Sequence, residues 1–303
     1  MPKYMLYQKM KCFVLLLALL FSLIKVSRAD TAEGFYLRIL PDSVVVGRQS
    51  INGRATIATL PRATLHNYHL ADYIGLPRDK QLVYIHAMWG GRERTHNATA
   101  TKLRAQPVSR VLSIIWHTDA LGYTRSWELA IQQGEDIGGL VARYLASCND
   151  EGNYLLCHSM GHRILQGIYR ADDAERVRFQ AVFFAAPDLD TDVFQEELRL
   201  LPRQTDRFLL YANDRDMALR LSKLLRGRRR LGRDILQAIS WPDKLELIDV
   251  TDSAHNGSDW LTGHLYFRKN PMVLRDIAAV IDEREDSRTA KRSAVDATVL
   301  YLP

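Results

Sequence analysis

Cysteine is scarce in this chain, with Cys12, Cys148 and Cys157 the three in 303 residues. That excludes a small scaffold stapled by disulfides, and no His/Cys/Asp cluster has a spacing suited to metal ligation. No internal repeat is visible, which argues against solenoid architectures. Long apolar runs are missing as well. The run 13–24 is interrupted only by Ser22 and falls short of the roughly 20 residues that a membrane span requires. An excess of one charge is also lacking once the first 29 residues are set aside. They hold five basic side chains (Lys3, Lys9, Lys11, Lys25, Arg28) and no acidic one, which leaves 36 basic against 35 acidic residues. Overall charge therefore gives no case for nucleic acid or an anionic membrane as partner.

What is present begins with a leader. Lys3, Lys9 and Lys11 precede the apolar run, and Ser27 and Ala29 then stand at the small-residue positions of a cleavage site. That order predicts a secretory signal peptide over 1–29, export to the periplasm or medium, and no stable membrane span after cleavage. Cys148 and Cys157, the two cysteines of the mature chain, are read at the end of a helix and the end of the following strand. About five strand residues at roughly 3.3 Å each would separate them, beyond disulfide reach.

From there, short apolar runs alternate with amphipathic ones. Residues 82–85, 111–115, 154–157, 181–185, 208–211 and 245–250 read as buried strands. Helical spacing appears in Ile137, Leu140, Val141, Tyr144 and Leu145, again in Ile164, Leu165, Ile168 and Tyr169, and over 217–225 and 271–281. This alternation predicts an α/β protein with a mainly parallel sheet covered on both faces. Shorter strands at 35–40, 43–46 and 55–59 could add an antiparallel edge. One domain is expected over 30–282, with a loose charged tail over 283–303. The basic run 226–233, with Arg228, Arg229 and Arg230 consecutive, reads as a solvated loop at a helix end.

The chemistry concentrates at Cys157-His158-Ser159-Met160-Gly161, which follows one strand and opens a helix. A sharp strand-to-helix turn exposes a serine hydroxyl and demands small flanking residues, as in a nucleophile elbow. Gly161 meets that demand, and Cys157 stands where glycine is usual. Such a serine needs an acid and then a histidine later in the chain. Asp214 and Asp216 follow the strand 208–211, with Asp188 a less usual third candidate after the preceding strand. His255 and His264 both lie where the base belongs, while His162, inside the elbow helix, reads as structural. The oxyanion donors expected are the backbone N–H of Met160 and that of Met88, with Ala87 close behind, in the loop His86-Ala87-Met88-Trp89-Gly90-Gly91.

Together these pieces resemble the uncharacterised bacterial α/β-hydrolases grouped with the esterase/lipase superfamily, a family of unknown function. The likeness runs from about Leu82 to Ile281. It rests on Ile85-His86 with the following loop, Trp116, His158-Ser159-Met160-Gly161, Ala185-Ala186-Pro187-Asp188, Tyr211 through Asp216-Met217-Ala218-Leu219, and Gly263-His264 before Asn270-Pro271. The resemblance implies the α/β-hydrolase fold. Its Asp-x-Ala-Leu pattern matches Asp216 as the acid, and its Gly-His before Asn-Pro matches His264 as the base. This chain departs from the pattern in having Ala87 where glycine is usual and no proline after Trp116. The expectation is an esterase acting through a Ser-His-Asp triad on a small ester or acyl substrate, without metal or cofactor. An amidase, peptidase or thioesterase would use the same triad, and a hydrolase-like binding protein would use the fold alone.

Overall fold

In a computed structural model of the chain, the described residues are 32–50, 53–88, 90–119, 122–148, 152–197, 205–234, 245–254, 263–292 and 299–302. The expected leader and the candidate base His255 lie outside them. Strands β1 (Glu33–Ile39), β2 (Ser43–Ser50), β3 (Gly53–Pro61) and β4 (Gln81–Ile85) come first, followed by helix α1 (Glu93–Arg104) and β5 (Arg110–Ile115). Then come α2 (Tyr123–Ala146), β6 (Asn153–His158), α3 (His162–Tyr169), β7 (Ala181–Ala185) and β8 (Arg207–Ala212). Helix α4 (Met217–Arg226), β9 (Leu245–Asp249), α5 (Pro271–Ile281), β10 (Lys291–Arg292) and β11 (Val299–Tyr301) complete the order.

Among the described residues these strands form one sheet in the order β10-β11-β9-β8-β7-β6-β4-β5-β1-β2-β3. From β9 to β1 every neighbour is parallel, and β2 and β3 add the antiparallel edge. Side chains alternate between faces along each strand. Val83, Ile85, Leu155, Cys157, Phe184 and Leu210 therefore join the core beneath α2 and α3. Leu82, Tyr84, Leu156, Phe183, Leu209 and Tyr211 join the opposite core with Val273, Ile277 and Ile281 of α5. A central strand buried on both faces must be apolar almost throughout, which is why these runs were readable as strands.

The chain passes from β4 to β5 on one side and then returns to place β6 on the other side of β4. That reversal opens a crevice beyond the carboxyl ends of β4 and β6, where open α/β sheets bind ligands. Helices α2 and α3 meet at their backbones beside it. A Cβ on Gly138 would strike the carbonyl of Gly167, and one on Gly167 would strike that of Gly134.

Two expectations need correction. The loose tail gives way to packed chain: Arg288 is buried and its Nε and Nη2 donate to the Asp276 carboxylate at 2.9 Å each. Beyond it, β11 pairs parallel with β9. The basic run is solvated only in part, since Arg230 is wholly buried with Nη1 2.7 Å from Asp190 and 3.6 Å from Asp188. Cys148 and Cys157 are free thiols. Among the described residues no helix is long and apolar enough to cross a membrane.

Candidate active site

Ser159 sits directly after β6 with φ +54°, in the left-handed region that a side chain occupies only under strain. What holds it is the packing of its neighbours. Gly161 lies against the end of β4, where a Cβ would stand 2.5 Å from the His86 carbonyl oxygen. The whole of α3 is buried. Cys157 tolerates the first elbow position because its side chain fits the core, where burial pushes its thiol well up. It is a packed neutral group.

Asp216, fully buried, is the N-cap of α4. One carboxylate oxygen, Oδ1, accepts the Leu219 N–H at 2.9 Å, and the other, Oδ2, lies 2.6 Å from His264 Nδ1. A carboxylate can only accept, so Nδ1 carries the proton and Nε2 presents the lone pair. At Asp214 the backbone N–H donates to Thr251 Oγ1. Burial raises its carboxyl, and Asp249 adds to the rise. Of the two carboxylates left open by position, the structure brings Asp216 to the histidine. His162 packs against Phe184 and Phe194 in the core, as a structural residue would.

Three contacts that sequence reasoning missed hold the His264 segment. His158 Nε2 bonds the His264 carbonyl at 3.0 Å, and the two imidazoles lie 4.9 Å apart. Burial holds His158 well below the ordinary histidine range, so it is neutral and donates from Nε2. Asn213 Nδ2 donates to the Gly263 carbonyl at 2.7 Å. Tyr266 Oη donates to the Tyr211 carbonyl and accepts the Ala186 N–H, each at 2.6 Å. The available signal was adjacency: His158, Asn213 and Tyr266 each stand within three residues of a triad candidate.

The loop after β4 is set by His86. Its Nδ1 donates to the Ala87 carbonyl at 2.5 Å, while Nε2 accepts the Trp116 N–H at 3.1 Å. Burial lowers this imidazole to about 4, so the tautomer is fixed and uncharged at neutral pH. The Trp116 ring stacks on it at 5.4 Å, and the indole N–H donates to the His86 carbonyl at 2.7 Å. Gly90 N–H also donates to the Ala87 carbonyl. In a trans peptide C=O and N–H oppose each other, so pinning that carbonyl turns the Met88 N–H away from the buried imidazole. Ala87 in place of glycine leaves these backbone donors intact.

Ser159, Met160, His264, Ala87 and Met88 line one cavity of about 340 Å³ beyond the carboxyl ends of β4 and β6. Leu219, Leu221 and Leu225 of α4 make its apolar wall, and Tyr123, Asp188 and Ser222 its polar end. Asp188, the third candidate acid, is engaged there: it accepts from Tyr123 Oη at 2.8 Å and Ser222 Oγ at 2.6 Å.

Among known proteins, no curated protein and no solved structure matches the chain. A family model described as alpha/beta hydrolase of unknown function (DUF900) matches residues 101–284, more than half of the chain. That stretch contains Ser159, Asp216 and His264 but starts after the loop set by His86. The parallel sheet, the strained serine between β6 and α3, and this match agree, and the chain belongs to that family of α/β-hydrolases of unknown function.

Proposed function

We propose that this α/β-hydrolase cleaves carboxylic esters through an acyl-enzyme on Ser159. The observation that carries the reading is the 2.6 Å contact between His264 Nδ1 and a fully buried Asp216, with His264 and Ser159 lining the same cavity. In the proposed reaction, Ser159 Oγ attacks the ester carbonyl as His264 Nε2 takes its proton. Asp216 keeps the imidazole in the required tautomer and stabilises its charged form. The oxyanion is held by the N–H groups of Met160, at the start of the elbow helix, and of Met88. His264 then returns the proton to the leaving alkoxide, and water, deprotonated by the same nitrogen, releases the acid.

The largely apolar wall supports an acyl chain on the substrate rather than a charged group. Together with the leader expected at 1–29, the reading is of an exported esterase. Labelling with a fluorophosphonate probe tests it. The folded protein should label stoichiometrically, and Ser159→Ala should lose the label. A folded wild-type protein that fails to label sinks the proposal. A series of p-nitrophenyl esters of increasing chain length then measures the acyl pocket.

A further inference from the structure

Helix α4 buries Leu219 and Ser222 against the fold and turns most of its other side chains outward. Its outward side is apolar. Met217 is 47 % exposed, Leu221 57 %, Leu224 75 % and Leu225 58 %, and they recur at the spacing of one helical face. Among the described residues six large apolar side chains are exposed to this degree, and four of them are these. Single exposed apolar residues are ordinary, but a cluster marks a contact surface.

The rim of the stripe is basic. From 217 to 233 the chain carries seven Lys and Arg residues and no acid. Arg230 is buried on Asp190, while Lys223 and Arg233 share Asp234. Arg220, Arg226, Arg228 and Arg229 remain exposed, and among the described residues none has a carboxylate within ion-pair distance. The stripe also continues into the cavity, since Leu221 and Leu225 belong to both.

We propose that α4 docks on an anionic lipid surface, with Met217, Leu221, Leu224 and Leu225 entering the interface and the flanking arginines meeting lipid phosphates. An apolar face bordered by basic residues is the pattern that lies in such an interface. Continuity with the cavity means that an acyl chain leaving the lipid reaches Ser159 without crossing water. This deepens the ester-hydrolase reading and rests on it only for what is delivered, since docking itself requires no chemistry. A second copy of the chain is a poorer occupant, because self-pairing would set the arginine rim against itself. The near-neutral body does not oppose docking, for the positive charge is local.

Co-sedimentation of the full mature chain with vesicles of equimolar phosphatidylglycerol and phosphatidylcholine, against phosphatidylcholine alone, is the test. Wild type and Ser159→Ala should both partition to the anionic vesicles, and salt should release them. Leu224→Gln, outside the cavity wall, should lower partitioning roughly tenfold while fluorophosphonate labelling stays unchanged. Arg228→Glu with Arg229→Glu should remove most of the salt-sensitive part, each basic residue contributing about fivefold. Equal binding to both vesicles, or undiminished binding by Leu224→Gln, overturns the proposal. So does a dimer that Leu224→Gln converts to monomer. Failure of labelling with vesicle binding intact would remove the esterase and leave the docking surface standing.

Discussion

Helices α3 and α4 each begin within three residues of a residue of the proposed triad, yet the fold treats them in opposite ways. Every residue of α3 is buried, whereas α4 buries Leu219 and Ser222 and leaves four large apolar side chains in the open. Both read alike as sequence, with large aliphatic side chains at helical spacing. The difference lies in what covers them. Helix α3 is crossed by α2 at glycine–glycine contact, so the turn carrying Ser159 stands on an immobile base. Helix α4 is anchored by its cap, and its free face remains available for a partner.

The sharpest way to break this contrast is Gly167→Ala. Its Cβ would fall on the backbone of Gly134, where neither helix can yield locally. A loss of about 3 kcal/mol or more is expected, read as failure to fold or a collapsed urea midpoint. Asp216→Asn comes next. Asparagine can still cap α4, but it disfavours the tautomer that leaves Nε2 as base, so kcat should fall by about 10⁴-fold with the melting temperature little changed. Replacing one leucine on each helix then measures their difference. Leu165→Ala on α3 should cost about 2–5 kcal/mol, and Leu224→Gln on α4 less than about 0.5 kcal/mol, by chemical denaturation.

Acid provides a finer test of the supports around the site. Burial lowers His86 to about 4 and His96 to about 2, and holds His158 well below the ordinary range. The folded state keeps these rings neutral while the unfolded chain protonates them below about 6.5. The unfolded state therefore binds more protons, and stability falls as pH drops through the window from about 6.5 to 4. Each ring contributes up to about 1.4 kcal/mol per pH unit there. Urea midpoints at pH 7 and pH 5 check it, and His96→Gln should flatten the slope.

Much of this was legible in the sequence. The six central strands were expected at 82–85, 111–115, 154–157, 181–185, 208–211 and 245–250, and they form within two residues of those limits. Strands buried on both faces carry an unmistakable apolar run. Helix α1 escaped notice because Glu93–Arg104 is rich in threonine and charge, with its interior made by His96, Thr99 and Leu103. The front half of α2 was hidden because Gln132, Gln133 and Gly134 interrupt its apolar spacing. Position after β8 alone left Asp214 and Asp216 open. The Asp-x-Ala-Leu pattern matched Asp216, and the N-cap geometry of α4 is what turns that carboxylate to the histidine. The packed chain after Glu283 was missed since Arg288 looks solvated until Asp276 is seen beneath it.

The segment 263–266 is moored to the ends of three different strands, by His158 on β6, by Tyr266 across β7 and β8, and by Asn213 just beyond β8. Until those strands stand side by side it has nowhere to settle. Competence is thus a late arrival on the refolding clock. The sheet should regain its far-ultraviolet signal before the serine regains its reactivity, and the lag between them times the docking of this one short loop.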